Sequence, residues 1–150
     1  MILGAIEISS RSVRFCVADV GSTSSARLTE RFHTIKARPE NLERLTAILM
    51  AEAEAAREMG VERLEVTAGA ALRATRLAQQ LDRVCQSVGA GRLRIPSVRE
   101  ESAAVFAGVT VPDLEHQGER VAVALVGERH VSIAVGKGGR VHVVWNGAVA

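Results

Sequence analysis

The apolar pattern of this 150-residue chain predicts an α/β fold with a mixed sheet, followed by a three-stranded antiparallel β-meander. Three observations carry that prediction. Two short alternating stretches open the chain around a polar turn. Two long helical periodicities, each closed by glycine, are interleaved with further short strands. Near residue 119 the helical period gives way to Val-rich stretches separated by turns.

Ile2, Ala5, Ile6 and Ile8 form an apolar run broken by Glu7, and Val13, Phe15 and Val17 alternate with Arg14, Cys16 and Ala18. The second pattern is that of a strand with one wet face. Between them Ser9-Ser10-Arg11-Ser12 offers hydroxyls and backbone N–H groups at the end of a buried strand, where a phosphate could sit. A third strand is expected over 26–35, with Leu28, Phe32 and Ile35 pointing inward. Arg38-Pro39-Glu40-Asn41 ends it, and Asn41 is placed to cap a helix.

Leu42, Leu45, Ile48, Leu49, Ala55, Ala56 and Met59 fall on one face of that helix, and Gly60 stops it. A strand over 61–68 and a second helix over 70–88 follow, the latter closed by Gly89-Ala90-Gly91. Leu93 to Pro96 reads as another strand, and a shorter helix begins near Val98. The order β-β-β-α-β-α-β-α requires crossovers, hence mixed strand directions. A polar loop over 109–118 leads to three strands at 120–126, 131–135 and 141–145.

Composition excludes several classes. A net charge of +2 and 3% aromatic residues offer neither a nucleic-acid footprint nor a stacking platform. Cys16 lies in the second strand, and Cys85 is in helical register with Leu77, Leu81, Val84 and Val88. Without ligand-like neighbours both read as buried structural thiols of a reducing compartment. No window reaches the length of a membrane span, so the expected location is cytoplasmic, with no membrane partner. His33, His116, His130 and His142 lack metal-ligand spacing, and no metal site is expected.

Ala5-Ile6-Glu7-Ile8-Ser9-Ser10-Arg11-Ser12-Val13-Arg14 resembles the opening phosphate loop of the exopolyphosphatase / guanosine pentaphosphate phosphohydrolase family, within the actin-like ATPase superfamily. That loop usually reads Ala-Ile-Asp-Ile-Gly-Ser-Asn-Ser-Val-Arg. Ala71-Leu72-Arg73 is similar to a family Ala-Leu-Arg segment, and 99–109 to Glu-Glu-Glu-Ala-Arg-Leu-Ile-Phe-Leu-Gly-Val. Val123 to His130 falls on the second phosphate loop, normally Val-Val-Asp-Ile-Gly-Gly-Gly-Ser. The resemblance implies an actin-like, ribonuclease H-like half-domain at 1–118 and the truncated start of a second domain at 119–150. It also implies Mg²⁺, two phosphate loops and a water-activating glutamate, in a reaction that is mostly positioning and charge neutralisation.

Carried over position by position, the resemblance implies Ser10, Ser12, Arg14 and Arg73 as phosphate contacts, and Glu100 and Glu101 as the pair that includes the catalytic glutamate. The departures fall where the chemistry is most demanding. Glu7 stands for Asp, Ser9 for the glycine that admits phosphate to the backbone, and Arg11 for Asn. At the second loop Leu125 stands for Asp, Glu128 and Arg129 for glycines, His130 for Ser and Ser132 for Glu. Gly69 and Ala70 replace a Thr-Ser pair. Each position also has an ordinary explanation: hairpin turns, solvated arginines, and acids favoured in the first turn of a helix.

The expected protein is therefore a catalytically degenerate exopolyphosphatase-like chain that acts through association. Its β-meander would be covered by another copy, as a dimer, or by a partner protein. No cofactor is expected. Two alternatives remain: a residual polyphosphate or guanosine pentaphosphate phosphohydrolase assembled as a dimer, which alone would need Mg²⁺, and a phosphate- or nucleotide-binding module.

Overall fold

The alternating residues at the start of the chain become the centre of a four-stranded sheet. The computed structural model describes residues 1–21, 25–69, 72–110, 120–126, 130–137 and 140–148. Strands β1 (Ile2–Ile8) and β2 (Ser12–Val20) pair antiparallel, with Ile6 opposite Phe15 and Ile8 opposite Val13. β3 (Ser25–Thr34) adds antiparallel to β2, and β4 (Arg63–Ala68) adds parallel to β1, giving the order β3-β2-β1-β4. The directions are mixed, as the element order requires.

One face of this sheet is packed by helices α1 (Leu42–Glu58) and α2 (Arg76–Ser87). Leu45, Leu49 and Ala56 from α1 and Leu77, Leu81 and Cys85 from α2 share one core with Ile6, Ile8, Val13, Phe15, Val17 and Val66. Each large side chain fully buried here contributes about 1.5–3 kcal/mol relative to exposure. The helices end where the sequence says they should. Gly60 at φ 69° and Gly89 at φ 76° take the left-handed conformation that closes a C-terminus without a Cβ clash.

Several expectations need correcting. Leu28 and Phe32 point outward, 49% and 59% exposed, and Ile35 alone of the three is buried. The register explains it: Arg31 pairs with inward-facing Phe15 and His33 with inward-facing Val13, so Phe32 shares the outer face with Arg14. A bulge at Val17/Ala18 shifts the strand beside Leu28. Cys16 also belongs to the outer face and is half-buried, not enclosed, whereas Cys85 is fully buried.

Asn41 sits at the N-cap of α1 but makes no side-chain cap; its Nδ2 donates to Lys36 O at 2.9 Å. A single 3₁₀ turn, Pro39–Asn41, leads into the helix instead. α2 starts at Arg76, because Ala74 adopts φ 58° and Thr75 caps the helix by accepting from the Ala78 N–H at 3.1 Å. The strand expected at 93–96 is one parallel bridge, Thr67 to Arg94. The Leu93 N–H is taken by Asp82 Oδ1 at 2.7 Å, and Pro96 has no N–H to donate.

The described residues divide into two compact units, Met1–Ile95 and Pro96–Ala150. In the second, helix α3 (Val98–Thr110) packs on a sheet of β5 (Val121–Val126), β6 (His130–Lys137) and β7 (Arg140–Ala148). That sheet is an antiparallel meander in the order β5-β6-β7. α3 thus groups with the meander, while the boundary expected at 118/119 lies outside the described residues. No helix among the described residues is long and apolar enough to cross a membrane.

Candidate functional site

In the first unit, the turn between β1 and β2 stands at the C-terminal end of two parallel neighbours, β1 and β4. The Gly69 N–H donates to Ile8 O at 2.9 Å, so the segment that leads to Arg73 leaves the sheet beside this turn. Ligands of open α/β sheets bind at such strand ends. The turn is held from a third side by the segment that follows β3, since Ile35 N–H donates to Arg11 O and Ala37 N–H to Ser10 O, both at 3.0 Å.

Ser9 decides what this turn can do. Its Oγ accepts from the Ser12 N–H at 3.0 Å and, at a longer 3.4 Å, from the Arg11 N–H. Its own proton reaches Ser12 O at 3.2 Å, and the two hydroxyl oxygens of Ser9 and Ser12 are hydrogen-bonded at 2.7 Å. The Ser9 N–H closes the turn on Ser12 O at 2.8 Å. An anion-binding turn needs its backbone N–H groups pointing at the ligand. Here the hydroxyl of Ser9, at a position where the resembling loop has glycine, occupies two of them.

The four residues taken as phosphate contacts separate into groups. Ser10 and Ser12 are half-buried in the turn, and Arg73 is exposed in the segment after β4. Arg14 lies on the outer face of the sheet, opposite Glu7 in register, with Nε 3.8 Å from Glu30 Oε1. Gly69 is described, but Ala70 and Ala71 lie outside the described residues. Glu7 is exposed on the same face as Arg14, and among the described residues no three His, Cys, Asp or Glu side chains gather to hold a metal ion.

In the second unit, Glu100 has a defined structural role. Its Oε2 accepts from both the N–H and the Oγ of Ser97 at 2.8 Å, and its own N–H donates to Ser97 Oγ at 3.3 Å. This reciprocal arrangement is a capping box, and the Ser-x-x-Glu spacing that announces it was present in the sequence. Glu101 is half-buried one position further on, with its N–H donating to Ser97 O at 2.9 Å. Leu125 pairs with Ser132, whose buried Oγ accepts from Ser102 Oγ at 2.9 Å, so α3 and β6 are joined by a hydroxyl pair. Glu128 and Arg129 lie outside the described residues.

A polar cluster that the periodicity did not identify lies under β3. Glu52 of α1, 2% exposed, receives His33 Nε2 at 2.6 Å on Oε1 and has Arg31 Nη2 3.1 Å from Oε2. The Arg31 guanidinium also lies 5.0 Å from the centre of the Phe15 ring. The signal was available: Glu52 follows Leu49 by three and precedes Ala56 by four, on the buried stripe.

No protein-family model and no curated protein sequence matches the chain. Solved structures do. The Aquifex aeolicus PPX-GPPA enzyme aligns with a TM-score of 0.84 at 22% identity, over 99% of this chain and 52% of that one. An exopolyphosphatase-like protein aligns at 0.82 and 16%, over 98% and 49%. An exopolyphosphatase from Cytophaga hutchinsonii aligns at 0.78 and 14%, over 99% and 50%. The chain has the fold of one half of these proteins and spans about half their length.

Proposed function

We propose that this chain is a catalytically degenerate exopolyphosphatase-like protein of the cytoplasm, acting through association with a second copy or a partner protein in a regulatory role. The fold likeness supports the exopolyphosphatase frame. The observation that carries degeneracy is Ser9 Oγ holding the Arg11 and Ser12 N–H groups. A phosphate would have to displace that hydroxyl from a turn whose own hydrogen bonds it completes. Losing a preorganised contact of this kind costs about 10²–10³ in rate. The exposed apolar residues Ala122, Ala124 and Val126 of β5 support association, since exposed apolar patches mark interaction sites.

The test is phosphate release from polyphosphate and from guanosine pentaphosphate, with Mg²⁺ present. The expected result is none above a no-protein blank. Release that disappears in Glu100→Gln or Glu101→Gln would replace this reading with that of a residual phosphohydrolase. Binding of polyphosphate without release, lost in Arg73→Ala, would replace it with that of a binding module.

A further inference from the structure

Of the four strands in the first sheet, β3 alone buries none of its own side chains. β1, β2 and β4 each bury apolar residues, whereas all ten residues of Ser25–Thr34 are half-buried or exposed. The register sets Thr29, Arg31 and His33 opposite Val17, Phe15 and Val13, a polar residue beside each buried apolar one. The Glu52 carboxylate of α1 meets this polar face, with Oε1 on His33 Nε2 at 2.6 Å and Oε2 3.1 Å from Arg31 Nη2. No hydrogen bond is aligned on Oε2, so charge alone holds that half. Among the described residues, side chains tie β3 to β2 through Arg31 over the Phe15 ring at 5.0 Å and through the pair Arg14–Glu30 at 3.8 Å. Exposed ion pairs of the second kind contribute little.

Segments with few buried apolar contacts open before the rest of a fold does. We propose that β3 is a latch strand: it leaves β2 as a unit while β2, β1, β4 and the helices α1 and α2 stay folded, and the Glu52 clasp on Arg31 and His33 sets how often it leaves. The opening stops at Ile35, which is buried and whose N–H is bonded to Arg11 O. The Ser9–Ser12 turn therefore keeps its shape when the strand departs. What changes is the charge around it: Arg14, taken above as a phosphate contact, loses Glu30, and Glu52 passes into water from a site where it is 2% exposed. The latch belongs to the first unit alone and is independent of the association reading above.

The test is residue-resolved amide hydrogen exchange of the full chain, followed by NMR. The N–H groups bonded between β2 and β3 should exchange together and at least about tenfold faster than those bonded between β1 and β4, with the Ile35 N–H in the slower set. Glu52→Ala should speed the β2–β3 set about thirtyfold, because the opening breaks the clasp. His33→Ala removes half of the clasp and should speed the same set about tenfold, which keeps the test decisive if Glu52→Ala does not fold. Ile6→Val trims the core on β1, two strands from β3, and should speed the β1–β4 set about fivefold while leaving the β2–β3 set unchanged. A β2–β3 set that exchanges no faster than the β1–β4 set, or that Ile6→Val accelerates equally, would mean that β3 leaves only when the whole unit unfolds, and overturns the latch. A fast β2–β3 set unmoved by Glu52→Ala and His33→Ala overturns its control by the clasp.

Discussion

Glu52 illustrates how one residue can sit on an apolar stripe at a large solvation cost and still be retained. Its carboxylate is buried, yet its partners Arg31 and His33 keep 45% and 34% of their side chains exposed. Removing one member of a buried charge pair costs about 3–5 kcal/mol when the other is trapped. Here Arg31 and His33 can both turn to water, so Glu52→Ala should lose about 2 kcal/mol, read as a lower urea midpoint at unchanged m-value. A midpoint equal to that of the native chain would show that the cluster contributes nothing. Cys85 gives a second residue-level prediction. Burial, reinforced by the nearby Asp82 carboxylate, pushes its thiol up to about 11 from 9.0. Because the folded pKa is raised, this stability is fully present below pH 9 and is lost as pH rises toward 11. At neutral pH a thiol reagent should label half-buried Cys16 first and reach Cys85 only after denaturation; equal labelling rates would contradict this.

Among the elements, α3 begins on a reciprocal cap between Ser97 and Glu100. Ser97→Ala should therefore destabilise the second unit by about 1 kcal/mol, whereas Glu100→Gln, which preserves the acceptor, should cost less. Equal losses in the two variants would mean the carboxylate charge, not the hydrogen bond, does the work. β3 shows the opposite case, an element whose existence was legible but whose facing was not. Its outward Phe32 and inward Arg31 and His33 follow from pairing with β2 and from the bulge near Ala18. A one-residue change of register exchanges the two faces of a strand, and no local pattern in Ala26 to Ile35 fixes it.

For the molecule as a whole, exposed apolar residues such as Val126 set solution behaviour. Val126, 73% exposed, is an association hazard. Val126→Lys should raise the ammonium sulfate concentration needed to precipitate the purified chain; an unchanged threshold would indicate that this residue is not what limits solubility. Much of the architecture could be read in advance. The β-β-β-α start, the glycine stops at Gly60 and Gly89 and the late meander were all visible as period and punctuation. The fifth strand shrank to one bridge because Pro96, two residues past Arg94 and so next on the edge facing β4, has no N–H to donate.

The sequence by itself determined the elements, their order and the replacement of glycine by Ser9, because hydrophobic period and residue type act locally. Only the tertiary structure decided where the Ser9 hydroxyl goes and that Glu52 is buried against Arg31 and His33. Those outcomes depend on which donors and acceptors meet once strands are in register, and register is set by pairing between segments distant in the chain.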